Sequence, residues 1–73
     1  MNSTLIVREK IGKLKQLAQK DGELQLIFDR VMLYYPALTE NPEEATENMI
    51  KGYNSIIENN ITSVELRNSL TIK

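Results

Sequence analysis

Seventy-three residues with nine basic and ten acidic side chains, a net charge of −1, and neither Cys nor His make one small domain. Without Cys there is no disulfide and no thiolate metal ligand, and without His the usual proton shuttle near pH 7 is missing. A chain this short buries only about 60% of its unfolded surface, so its core is marginal and is commonly supplemented by a staple or a partner chain.

Apolar residues recur at helical spacing along the whole chain. The expected fold is all-α: an antiparallel bundle of three longer helices and a short C-terminal one, forming a single domain over residues 1–73. The first helix is expected over residues 3–20. Ile6, Val7, Ile11, Leu14, Leu17 and Ala18 share one arc, and Arg8, Lys15, Gln16, Gln19 and Lys20 face away. Lys10 lies inside the apolar arc. Its stem can lie on the core with the ammonium in water, or it can meet a partner's carboxylate. Asp21-Gly22 offers a stop and a new cap.

The second helix is expected over residues 23–35. Leu24, Ile27, Phe28, Val31, Tyr34 and Tyr35 form its core face. Leu26 and Leu33 form a second stripe on the back. A helix that is apolar on two sides is buried on two sides, so another helix of the chain or a second copy should cover this stripe. Pro36 ends the helix, because Tyr35 before it is pushed out of the α region.

The third helix is expected over residues 42–59. The stretch "TENPEEATEN" reads as its beginning: Asn41 as N-cap, Pro42 at the first helical position, Glu44 completing a capping box, and acidic residues at the positive end of the dipole. Ala45, Met49, Ile50, Tyr53, Ile56 and Ile57 make its core arc, while Asn54 falls on the solvated side. Gly52 borders the arc, which suggests close approach by another backbone. The last helix is expected over residues 63–70, with Thr62 and Glu65 as a capping box and Ile61 stapled to Leu66. The final "LTIK" is expected to fray.

Chemistry finds little support in this pattern. The carboxylates of "TENPEEATEN" diverge on a helix, and no Asp-x-Asp-x-Asn-Gly loop accompanies them, so no metal ligand is expected. Ser and Thr lack a base, no Gly-rich phosphate loop is present, and no cofactor or catalytic residue is expected. The protein is therefore read as not an enzyme. Charge is unevenly spread. Residues 1–20 carry five positive charges and one negative, and residues 21–50 carry seven negative and one positive. The two segments can attract each other. The overall balance argues against general nucleic-acid affinity, although the basic first helix could touch phosphates. The longest apolar run, Val31 to Tyr35, is far too short for a membrane span. No signal peptide is evident, and a cytoplasmic location is expected.

What remains is non-catalytic protein binding by a small module or regulator of bacterial or phage type, with another protein or a second copy as partner. The homodimer would join through the second helix. The candidate interface comprises Leu26, Leu33 and Lys10, the amphipathic anchors Tyr34, Tyr35 and Tyr53, and the outward residues Glu65, Arg67 and Asn68. The tyrosines have an alternative place in the core with their hydroxyls at its rim.

The stretch "ALTENPEEATENMIKGYNSIIENNITSVEL", followed by a short last helix, resembles the second half of the pediocin-like (class IIa) bacteriocin immunity proteins. Asn41, Pro42, Glu43, Met49, Ile50, Ile56, Ile57 and Asn59 carry the likeness. The resemblance implies a cytosolic antiparallel four-helix bundle. It would protect a producer cell from its own pore-forming peptide through contact with a membrane receptor. It also implies that specificity lies in residues 63–73, with Glu65, Arg67 and Asn68 as contacts.

Overall fold

Helical periodicity is realised throughout. A computed structural model describes residues 3–73, and Met1 and Asn2 of the domain lie outside the described residues. The chain is all-α, with no strand among the described residues. Helix α1 spans Ser3–Ala18 and α2 spans Gly22–Tyr34. The Asp21 carboxylate caps α2, accepting from the Glu23 and Leu24 amides at 2.9 and 3.3 Å. This satisfies donors that a helix start leaves without intrahelical partners.

Pro36 ends α2 and at once starts another helix, α3, over Pro36–Glu40. The sequence reading placed only a loop here. Proline suits a first helical position, and the five-residue turn drives Leu38 fully into the core.

The expected helix start at Asn41 is not what forms. Asn41 makes no side-chain cap bond, and Pro42–Glu44 is a single 3-10 turn. Ala45 then turns extended, and the long helix α4 runs over Glu47–Asn60. Its cap is Thr46, whose hydroxyl accepts from the Met49 amide at 3.2 Å. The reason is packing. Leu38 and Pro42 are both buried, and α3 and the 3-10 turn both lie against α1, which fixes the chain before α4 can start.

Helix α5 spans Val64–Leu70 and is capped by Ser63, one residue after the expected Thr62. The Ser63 hydroxyl accepts from the Leu66 amide at 3.3 Å. Ile61 is buried beside this start, with Leu66 packed on the core.

The tail does not fray. Leu70, Thr71 and Ile72 are all buried. Lys10 on α1 donates to the Ser69 carbonyl at 3.0 Å, and the Tyr53 hydroxyl on α4 donates to the Leu70 carbonyl at 2.7 Å. The Asn54 side chain clasps the Ile72 backbone, donating to its carbonyl at 2.7 Å and accepting from its amide at 2.8 Å. Asn54 therefore faces inward at the flank of α4 rather than outward to solvent. A β-branched tail forms no helix here. It lies extended and hands its backbone polar groups to side chains, which meets the demand that buried amides and carbonyls be paired.

The core joins Val7, Ile11 and Leu14 of α1, Phe28 and Val31 of α2, Tyr53 and Ile57 of α4, and the tail. The radius of gyration is 11.0 Å. That equals the roughly 11 Å expected for a compact domain of this length. One copy of the chain thus closes its own core.

Candidate interaction surface

Four of the six exposed large hydrophobic side chains among the described residues lie on α2. Leu26 and Leu33 are 68% and 73% exposed, and Tyr34 is 63% exposed beside them. Met32 is also exposed. None of the other described helices covers the Leu26–Leu33 stripe, so of the two covers expected from the sequence, the intramolecular one is absent among the described residues. Asp29 and Arg30 lie between the two leucines, both exposed. Asp29 accepts from the Gln25 side-chain amide at 2.8 Å, and Arg30 reaches the Asn60 side-chain oxygen at 3.3 Å. A shallow hollow of about 200 Å³ adjoins the stripe between Leu26, Arg30 and Asn60.

The three tyrosines separate. Tyr34 leaves the core face assigned to it and stands in solvent, because the helix ends there and α3 turns away. Tyr35 is half-buried, its ring centroid 6.5 Å from that of Tyr34 and tilted by 54°. Its hydroxyl end lies against Gly52, where a Cβ would overlap the ring and hydroxyl. The close approach inferred at Gly52 is therefore made by a side chain and not by another backbone. Tyr53 is fully buried, and burial pushes its phenol well above the ordinary value of 10.0. It is core, with its hydroxyl committed to the tail.

Lys10 also turns inward. Its ammonium sits at the C-terminal end of α5, where carbonyls lack helical partners and the dipole favours a cation. Glu65 and Asn68 are exposed on α5, while Arg67 is half-buried. Sequence reasoning missed the exposed Leu5 and Val64. Val64 was absorbed into a helix start, and Leu5 falls on the face of α1 opposite the apolar arc.

The acidic stretch "TENPEEATEN" resolves into separate partners. Glu43 meets Arg8 at 2.6 Å and Glu47 meets Lys51 at 3.6 Å. The first pair joins the basic and acidic segments of the chain. Both pairs are exposed and worth about 0–1 kcal/mol each. No group of three or more acidic side chains able to hold a metal occurs among the described residues. None of the described helices is long and apolar enough to cross a membrane.

Neither the family models, nor the curated proteins, nor the solved structures give a match to this chain. The functional reading therefore rests on the surface itself.

Proposed function

We infer that the chain is a small antiparallel helical bundle acting as a non-catalytic protein-binding module, with the outer face of α2 as its contact surface. One observation carries this reading: Leu26 and Leu33 remain exposed one above the other on a chain that has already closed its core. Burying two such leucines stabilises a complex by roughly 1.5–3 kcal/mol each. Tyr34 at the edge adds an amphipathic anchor of the kind enriched at interfaces.

A photo-crosslinking amino acid placed at position 33 tests the reading inside the cell, with position 51 on the exposed side of α4 as control. The module reading expects a covalent protein adduct from position 33 and none from position 51. No protein adduct at 33 overturns it. Leu26→Asp with Leu33→Asp is expected to keep the helicity and melting temperature of the parent, since neither side chain is part of the core.

A second reading is immunity of a producer cell, as the resemblance implies. The ordered α5 supports it by holding Glu65 and Asn68 at a fixed surface. Expression of the chain in a cell sensitive to a pore-forming peptide is expected to protect it, and unaltered killing would remove this reading.

A further inference from the structure

The exposed face of α2 carries its own partner code. Leu26 and Leu33 are seven residues apart, which places them about 10.5 Å apart along the axis and within roughly 20° of each other around it. Asp29 and Arg30 sit halfway between them. They lie roughly 50° to either side of the leucine line, acid on one flank and base on the other. The order along the face is thus apolar, charge pair, apolar, with opposite signs on opposite flanks.

We propose that this face pairs with the same face of a second copy of the chain, the two α2 helices running parallel about a two-fold axis. The proposal rests on the module reading above and names its partner. The orientation follows from the charges. A two-fold axis parallel to the helices exchanges the flanks, so Asp29 meets the partner's Arg30 on one side, and Arg30 meets the partner's Asp29 on the other. Leu26 then stacks on its own counterpart, and Leu33 does likewise, above and below the charged layer. An antiparallel pair keeps each flank on its own side. It would bring Arg30 against Arg30 and Asp29 against Asp29, and like charges in contact are unfavourable. The present bonds of these two residues do not block the pairing. A carboxylate has a second oxygen, and a guanidinium has five N–H donors, while both are exposed. The aliphatic stem of Arg30 can cover the gap between the leucine layers. The buried face of α2 lies on the far side of the helix from the leucine line, while the end of α4 approaches the Arg30 flank, where Asn60 meets Arg30.

The paired area is that of a single helix face, which belongs with small, weak interfaces. A micromolar, concentration-dependent dimer is therefore expected in sedimentation equilibrium. The chain has no Cys, so single cysteines report the orientation directly. Leu33→Cys alone and Leu26→Cys alone should each cross-link to a disulfide dimer under mild oxidation, and an equimolar mixture should give no mixed 26–33 product. The mixed product as the main species would overturn the parallel arrangement. Asp29→Arg should weaken the dimer on the order of tenfold, and adding Arg30→Asp in the same chain should restore it. Failure of the double variant to recover also overturns the proposal. Monomers up to millimolar concentration would overturn it outright. The photo-adduct at position 33 separates the two levels. A mass of twice the chain supports the dimer, another protein's mass removes the dimer but keeps the module reading, and no adduct removes both.

Discussion

Tyr53 shows how one side chain can serve both core and cap. Its ring is fully buried in the core, and its hydroxyl donates to the Leu70 carbonyl at 2.7 Å. Tyr53→Phe keeps the ring and removes the donor, leaving a buried carbonyl short of one partner. The expected cost is about 1–3 kcal/mol near neutral pH, read from urea unfolding. Burial also raises the phenol's pKa above its unfolded value of 10.0. Above that pH the unfolded chain loses the Tyr53 proton while the folded chain retains it. The folded state then holds more protons, and stability falls as pH rises. The Tyr53 contribution is thus complete below pH 10 and lost above it. The gap between parent and Tyr53→Phe is expected to narrow on raising the pH from 9 to 11, by up to about 1.4 kcal/mol per pH unit. A gap that stays constant would show that the phenol ionises equally in both states.

At the scale of elements, the segment from Pro36 to Glu47 decides how α2 is connected to α4. Two N-cap signals compete there, Asn41 with Pro42 and Thr46 with Glu47, and only Thr46 makes the side-chain bond. Thr46→Ala is therefore expected to cost about 1 kcal/mol. Asn41→Ala should stay within about 0.5 kcal/mol, as for a surface change away from any cap. Equal losses would put the start of α4 back at Asn41. The sequence reading took the signal at Asn41 and passed over Thr46, which only the structure shows to be the cap. Local cap chemistry suits either, and the choice is made by Leu38 and Pro42 packing on α1, a contact between distant parts of the chain. The faces of α1 and α2 were legible because periodicity reports burial directly. The exposed stripe of Leu26 and Leu33 was visible for the same reason. Asn54 was not. On the wheel it falls about 40° past Ile50, at the edge of the apolar arc, and nothing local says that a backbone will come to meet it. The inward turn of Lys10 had the same cause: its partner is the Ser69 carbonyl, 59 positions away.

For the whole molecule the question is what closes the core, and the tail gives the answer. A 73-residue domain has a stability of about 4–11 kcal/mol at typical values per residue. Ile72 is 5% exposed, and its burial supplies roughly 2 kcal/mol. Its backbone is clasped by Asn54, and stranding that half-buried amide costs about 1–3 kcal/mol more. Deleting residues 71–73 thus removes a large fraction of the total, although the only helical bond lost is that of the Thr71 amide capping α5. Deletion is expected to abolish or sharply lower the cooperative thermal transition. Asn54→Ala, which leaves Ile72 in place, should lower the transition but keep it cooperative. A frayed tail would make both changes silent. Native-state hydrogen exchange gives the local counterpart. The Ile72 amide, bonded to the Asn54 side-chain oxygen, should be protected to nearly the same degree as the amides of α4 around Tyr53. An unprotected Ile72 amide beside a protected α4 would mean that the tail opens separately, and closure of the core would then fall to α5 alone.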